Sequence, residues 1–332
     1  MFLIYHFDSK IILKEDKNIM NEKYYWGGKN KRATIAKKHT QMMEAKYSAE
    51  IKQCISNSTV FEGMISSLSV NADDPAIENV FVTPVTTEDM ILHIYDQQDV
   101  YGDVKRLCAL NFASYTNPGG GFLKGSRAQE ESLCHASFLY NVLSDPGIFD
   151  KFYAKNRATR MYGLYSNRAL YSPDILFESH DHRGYVPCDI ITCAAPNRSA
   201  ILKYMTGNGK NPKYKDVATA ERDIKDALRD RIEFIYHIVE RFNQLADDDP
   251  AVSPISHLIL GAFGCGVFEN HVEDVATFFR DIGTKYQALS RLHKIEFPHI
   301  IFAIPTIGNH DYTWDVFCKT LLNTGQEETK NV

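Results

Sequence analysis

The sequence predicts an α/β domain in which helices cover both faces of a largely parallel sheet. From about residue 89 onward, short apolar runs that are typical of buried strands alternate with long amphipathic segments that are typical of helices. Strands that are joined through long helices run parallel to one another. Two of the apolar runs end in glycine-rich loops, and sheets of this kind bind ligands at the carboxyl ends of their strands.

The individual elements follow from hydrophobic periodicity and from turn signals. The run RLCALNF is apolar over the length of a strand and leads into the first glycine-rich loop. A helical spacing then places Phe138, Leu139 and Val142 on one side of a predicted helix. The predicted strands are 106–112, 189–194, 257–260 and 299–304, and the predicted helices are 32–54, 127–143, 216–245 and 272–289.

The patterning divides the 332 residues into three parts. Residues 1–88 are expected to form a partly helical N-terminal extension, packed on or continuous with the core, with a turn at 71–75. Residues 89–323 form the α/β core, and residues 324–332 form a flexible tail.

Composition excludes several classes of protein. A net charge of −5 argues against broad binding to nucleic acid, which needs a basic surface. No segment is long and apolar enough to span a membrane. The N-terminal apolar run precedes the basic residues, the wrong order for a secretory signal, so the expected location is the cytoplasm, with a non-classical export route left open. Seven cysteines without a C-x-x-C pair indicate free thiols.

Three motifs carry candidate chemistry. The first is the glycine triplet in Asn117-Pro118-Gly119-Gly120-Gly121, whose backbone can come close to a ligand and present N–H groups to a phosphate. The second is Gln129-Glu130-Glu131 at the start of a predicted helix, where successive side chains point about 100° apart. The third is GAFGCGVFEN at 261–270, a strand-to-helix turn suited to anion binding.

With these motifs, the chain resembles the microbial-type poly(ADP-ribose) glycohydrolases, a branch of the macrodomain family. The segment LNFASYTNPGGGFLKGSRAQEESLCHASFLY carries most of the resemblance, which continues in RATIAKKHTQMMEAKY, YSPDILFE, IITCAAPN and LGAFGCGVFEN. It covers roughly residues 32–304. The resemblance implies a macrodomain-like three-layer α/β/α sandwich around a mixed, largely parallel sheet.

The resemblance also implies a role for each motif residue. Glu131 corresponds to the catalytic acid, and Glu130 to the residue that holds a hydroxyl of the distal ribose. Gln129 belongs to the same catalytic loop, and Phe268 corresponds to an aromatic residue beside the ribose. The remaining residues expected to contact the distal ribose and the diphosphate are Asn117, Gly119, Gly120, Gly121, Gly264, Cys265, Gly266, Val267 and Asn270.

Cleavage of a ribosyl bond builds positive charge on the sugar and negative charge on the leaving oxygen. We expect Glu131 to protonate that oxygen and then to activate the attacking water.

Three functions on this scaffold remain open from the sequence. They are a poly(ADP-ribose) glycohydrolase, a mono-ADP-ribosyl-protein hydrolase acting on arginine, and a reader of ADP-ribose without catalytic activity. The expected partners are ADP-ribose and ADP-ribosylated proteins, bound by a monomer without a cofactor or metal. The histidine-containing segments 178–182 and 308–311 are interpreted as polar loops rather than metal sites, the second capping the last helix.

Overall fold

The computed structural model describes residues 28–63, 77–159, 161–178, 184–206, 214–306 and 311–322. Within these ranges, one seven-stranded sheet has the strand order β1-β4-β5-β3-β6-β7-β2. The strands are β1 Thr59–Glu62, β2 Val80–Thr83, β3 Leu107–Phe112, β4 Arg168–Glu178, β5 Tyr185–Cys193, β6 His257–Leu260 and β7 His299–Ala303.

Helices of very different lengths connect these strands. The longest are at the start of the described chain and on the C-terminal side of the fold. The helices are α1 Lys29–Asn57, α2 Thr87–His93, α3 Gln98–Tyr101, α4 Gln129–Ala136, α5 Leu139–Leu143, α6 Pro146–Ile148, α7 Lys155–Ala158, α8 Arg198–Thr206, α9 Val217–Asp248, α10 Val272–His293 and α11 Tyr312–Leu321.

The sheet is mixed and largely parallel, as the sequence predicts. β3 pairs in parallel with both β5 and β6, and β7 pairs in parallel with β6 and β2. Among the strands of the described residues, only β4 runs antiparallel to its neighbours, β1 and β5. Strands β1 and β2, which come from the segment before residue 89, form the two edges of the sheet.

Each face of the sheet carries its own hydrophobic core, which makes the fold a macrodomain-like three-layer α/β/α sandwich. Alternate residues of β3 point to opposite faces. Leu107 and Ala109 pack in the core that also includes side chains of α1, α2, α4 and α5. Cys108 and Leu110 pack in the core beneath α9, α10 and α11. None of the described helices is long and apolar enough to cross a membrane.

The prediction of a single helix at 127–143 is wrong, because this segment forms two helices, α4 and α5. Ser137 has an extended backbone (φ −151°) and forms a β-bridge with Phe177 of β4. Its hydroxyl donates to Leu133 O at 2.8 Å and accepts from Leu139 N at 3.1 Å. The Ser137 side chain takes the place of the backbone hydrogen bonds that a continuous helix would form here, so the chain turns between α4 and α5.

The other predicted elements are confirmed with small shifts at their ends. Asp216 caps α9 by accepting from Thr219 N, and the helix continues three residues past the predicted end to Asp248. Asp311 caps α11 by accepting from Thr313 N and Trp314 N, which confirms the capping loop for this residue. The turn predicted at 71–75, residues 308–310 and the tail at 324–332 lie outside the described residues.

The start of α1 is fixed to the loop before α4 by close backbone packing. Arg32 Nε donates to Gly125 O at 2.8 Å. Gly125 has φ +73°, and a Cβ atom at this position would overlap the backbone oxygen of Lys29. Only glycine combines this conformation with this contact.

Gly125→Ala is therefore expected to lower the free energy of unfolding by roughly 2–4 kcal/mol, since it adds left-handed strain and a backbone clash. Chemical denaturation measures the change. Gly184→Ala is the matched control, because a Cβ there meets no atom within 4 Å. Equal stabilities for the two variants would show that α1 moves away from the loop at little cost.

Candidate active site

The two glycine-rich loops meet above the carboxyl ends of two central strands of the sheet. β3 and β6 are parallel neighbours, so the loops that follow Phe112 and Leu260 leave from the same side. The rings of Phe112 and Phe263 pack edge to face with centroids 5.8 Å apart. The structure therefore brings together motifs that are about 140 residues apart in sequence, as predicted from the carboxyl-end rule.

Glu131 lies in the first turn of α4, beneath the glycine triplet. Its side chain is buried, and its Oε1 accepts a hydrogen bond from Gly121 N at 2.7 Å. Its Oε2 is also buried but has no hydrogen-bond partner within the part of the chain that the structure describes. A buried carboxylate oxygen without a partner is costly for stability, and such an atom is explained most simply by a ligand or substrate contact.

Glu130 is buried beside it and held by the end of β3. Ser114 N donates to its Oε2 at 2.8 Å, and Asn111 Nδ2 donates to its Oε1 at 3.4 Å. Burial raises the pKa of Glu130 to about 8, opposed by the hydrogen bond from Ser114 and assisted by the neighbouring charge of Glu131. The Glu130 carboxyl group therefore holds a proton at neutral pH and can donate a hydrogen bond.

Gly120 lets the loop close over both carboxyl groups. It has φ +58°, and a Cβ atom would lie 2.6 Å from Glu131 Oε1 and 2.8 Å from Glu130 Oε2. Gly119 has φ +60°, and a Cβ atom there would lie 2.6 Å from Cδ2 of the Tyr140 ring. Glycine is required here because the backbone approaches the carboxyl groups more closely than any side chain allows.

Gln129 is placed differently from the two glutamates. Its Oε1 accepts from Phe112 N at 2.8 Å, and its Nε2 donates to Leu110 O at 2.7 Å and to Thr87 Oγ1 at 3.2 Å. The amide nitrogen has thus no donor left for a substrate. We assign Gln129 as a positioning residue that ties the start of α4 to β3 and α2.

Asn117 lies exposed at the outer end of the first loop. Its carbonyl oxygen accepts from Gly120 N at 3.0 Å, and its Oδ1 accepts from Arg157 Nη2 at 3.5 Å. Arg157 Nε also donates to Thr116 O at 2.9 Å. Arg157, which the sequence did not single out, therefore supports this end of the loop from outside.

The second loop turns at Gly264, which has φ +74°. Asn270 is buried, and its Nδ2 donates to Gly264 O at 3.1 Å and to Pro196 O at 2.9 Å. These bonds make Asn270 a brace for the loop. Within the described chain, no protein acceptor receives the backbone N–H groups of Gly264, Gly266, Val267 and Phe268.

Those N–H groups at the start of the connection to α10 form a potential anion site. Val267 is 77% exposed, and Gly266 is exposed as well, so the loop is open to solvent. Consecutive backbone N–H groups in such a turn bind phosphate oxygens without the help of a basic side chain. Burial raises the pKa of the Cys265 thiol in the same loop to about 12, which disfavours the thiolate form that a nucleophile needs.

Contacts between aromatic rings connect the two loops. Half-buried Phe268 meets Tyr165 edge to face at 6.4 Å, and Tyr165 stacks on Tyr115 at 4.1 Å. The Tyr115 hydroxyl hydrogen-bonds to Ser166 Oγ at 2.6 Å. Neither tyrosine could be singled out from the sequence. Tyr115 lies within the LNFASYT segment without a pattern that marks it as a contact residue, and nothing in the sequence indicates the left-handed conformation of Tyr165 (φ +63°).

No group of three or more His, Cys, Asp or Glu side chains suited to a metal ion occurs among the described residues. Of the histidine-containing segment at 178–182, only Glu178 is described, and it pairs with Lys46 at 2.5 Å. The other segment, 308–311, contributes only Asp311, which caps α11.

Comparisons with known proteins show what the chain and its fold are similar to. Residues 14–178 match the family model described as microbial-type PARG, catalytic domain. The poly(ADP-ribose) glycohydrolase of Thermomonospora curvata is 23% identical with a TM-score of 0.63, over 88% of this chain and 99% of that one. The Deinococcus radiodurans enzyme in complex with ADP-ribose is 25% identical with a TM-score of 0.59, over 82% of this chain and 97% of that one. The search of curated proteins found no match.

The raised pKa of Glu130 predicts a pH-dependent stability. Between about pH 4.5 and pH 8 the folded state keeps a proton that the unfolded chain releases, so the free energy of unfolding falls as pH rises. Glu130→Gln removes this titration. The free energy of unfolding of the variant, minus that of the unaltered protein, should therefore rise from about pH 4.5 to pH 8 and stay constant above pH 8. Chemical denaturation at a series of pH values measures this difference.

Glu88 is the internal reference for this experiment, because burial raises its pKa to about 7 and it is present in both proteins. Its contribution cancels in the difference between them. A stability difference that is constant from pH 5 to pH 8 would contradict a raised pKa for Glu130.

Proposed function

Since the chain belongs to the microbial-type poly(ADP-ribose) glycohydrolase family, we propose that it hydrolyses the ribosyl bond of ADP-ribosylated proteins and releases ADP-ribose. The observation that carries this proposal is the arrangement of Glu131. One of its carboxyl oxygens is fixed by Gly121 N, and the other is buried and has no partner among the residues that the structure describes. That second oxygen is the group offered to a substrate.

The proposed reaction begins with a proton on the Glu131 carboxyl group. This proton passes to the leaving oxygen as the bond from that oxygen to C1 of the distal ribose breaks. The resulting carboxylate then takes a proton from a water molecule, whose oxygen forms the new bond to C1. Glu131 thus loses one proton to the leaving oxygen and regains one from water, and each cycle consumes one water molecule.

Glu130 is proposed to hold a hydroxyl group of the distal ribose. Its raised pKa lets it donate a hydrogen bond, and its carboxyl group is fixed by Ser114 N. Fixing the sugar next to Glu131 contributes to the rate acceleration, because the reacting groups are already oriented. Gln129 contributes by holding the start of α4 against β3.

The diphosphate of ADP-ribose is proposed to bind the second loop. Four backbone N–H groups between Gly264 and Phe268 lack protein acceptors in the described chain, and a diphosphate supplies several. Its negative charge also stabilises the positive charge that builds on the ribose during cleavage. A reader of ADP-ribose without activity would need the second loop but not the buried acid.

Glu131→Gln is expected to lower kcat for ADP-ribose release by roughly 10²–10⁴-fold, because the amide can neither donate the proton nor accept one from water. The dissociation constant for ADP-ribose, measured by calorimetry, should change by only a few-fold, since the shape of the side chain is kept. Release is measured on poly-ADP-ribosylated protein.

Glu50→Gln, at an exposed position of α1, is the matched control and should retain full activity. If Glu131→Gln turns over at the rate of this control while still binding ADP-ribose, another group is the acid and the mechanism fails.

A further inference from the structure

The end of the second loop is fixed by residues that the chemistry described above does not use. Arg198, the first residue of α8, donates from Nη1 to Glu269 O at 3.1 Å. The backbone N–H of Ser199 donates to Phe268 O at 3.0 Å. Two consecutive carbonyl groups of the loop therefore accept hydrogen bonds from the first turn of α8.

The Arg198 guanidinium group is itself held by Glu221 of α9. Its Nε lies 3.0 Å from both carboxyl oxygens of Glu221, and its Nη2 donates to Glu221 Oε1 at 2.6 Å. Glu221 Oε2 also lies 3.8 Å from Nε2 of His271, the residue before α10. An arginine that binds one carboxylate through two of its nitrogens has a fixed orientation. The third nitrogen, Nη1, is therefore held at Glu269 O.

Glu269 has a conformation that needs such support. Its φ of +57° lies in the left-handed region, which is unfavourable for a residue with a Cβ atom and persists only where the surroundings impose it. Its backbone N–H donates to Gly266 O at 3.0 Å, so this strained residue closes the turn whose other N–H groups are open to solvent. Loss of the contact from Arg198 would let Glu269 relax to a negative φ, and the turn would then open.

We propose that Arg198 and Glu221 form a positioning pair that keeps the second loop in its anion-binding conformation and so sets the affinity for the diphosphate of ADP-ribose. This inference rests on the proposed function. The pair acts through the backbone at Glu269 and makes no contact with the reacting ribose. Because Glu130 and Glu131 lie on α4, loss of the pair weakens binding rather than the chemical step.

The ion pair between Lys225 and Asp274 provides the matched control. Lys225 Nζ lies 2.5 Å from Asp274 Oδ1, so this pair joins α9 to the first turn of α10, as the positioning pair joins α9 to α8. Within the described chain, Lys225 donates to no carbonyl group of the second loop. Arg198→Met and Lys225→Met each remove one cation from an ion pair of α9, but only Arg198→Met also removes a contact to the loop.

Arg198→Met should raise the Kd for ADP-ribose, measured by calorimetry, about 10-fold relative to Lys225→Met, because only part of the population then has the loop in its binding conformation. On poly-ADP-ribosylated protein, KM should rise by a similar factor, and kcat should stay close to that of the control. Equal Kd values for the two variants, or a loss confined to kcat, overturn the proposal.

Glu221→Gln tests whether the two residues act as a unit. It leaves the arginine in place but removes the charge that orients it, so the Kd should rise here as well, and this variant replaces Arg198→Met in the comparison if Arg198→Met does not fold. The double variant should bind ADP-ribose as Arg198→Met does, because Glu221 acts only through Arg198. Losses that multiply in the double variant would show that the two residues act independently, and this overturns the pair.

Hydrogen exchange of the ligand-free protein separates this proposal from the proposed function. The backbone N–H groups of Glu269 and Asn270 donate to carbonyl groups of the same loop. Mass spectrometry should find them exchanging about 10-fold faster in Arg198→Met than in Lys225→Met. If the unaltered protein neither binds ADP-ribose nor releases it, the proposed function fails, whereas this difference still reports on the positioning of the loop. Identical exchange in the two variants overturns the proposal.

Discussion

The hydrogen bond from Gly121 N to the Glu131 carboxyl group is the interaction on which the rest of the site depends. It fixes one oxygen of the side chain and leaves the other buried and available. Two adjacent glutamates can be buried together because the glycine triplet covers them with backbone alone and because Glu130 holds a proton at neutral pH. Replacing the triplet by residues with side chains would separate the loop from the acids.

Three contacts hold the start of α4 and the two glycine-rich loops in place. Gln129 ties α4 to β3, the Arg32 contact ties the outer part of the loop to α1, and Asn270 braces the second loop against Pro196. The Arg32 and Asn270 contacts join residues that are 93 and 74 positions apart in sequence, so the geometry of the site is a property of the assembled sandwich. The segment before residue 89 takes part in this assembly, because it supplies α1 and both edge strands.

Much of the fold could be predicted from the sequence, because buried parallel strands and amphipathic helices leave strong periodic signals. The edge strands β1 and β2 were not identified as strands, since pairing at a sheet edge depends on neighbours distant in sequence. The antiparallel β4 lies inside the sheet, but Pro173 and Asp174 interrupt its apolar run at the point where its register with β5 shifts. The glutamates and glycines of the site could be predicted from their motifs. The bracing roles of Gln129 and Asn270 could not, because only the folded structure shows that their amide groups already have partners.

The most direct measurement is a crystal structure of the Glu131→Gln variant with ADP-ribose bound. We expect the C1 hydroxyl of the distal ribose to lie within roughly 2.6–3.2 Å of the side chain at position 131, with a second ribose hydroxyl at the Glu130 carboxyl group. We also expect the diphosphate to accept hydrogen bonds from the N–H groups between Gly264 and Phe268. A distal ribose that faces away from α4, with position 131 still buried and unpartnered, would show that Glu131 is not the acid.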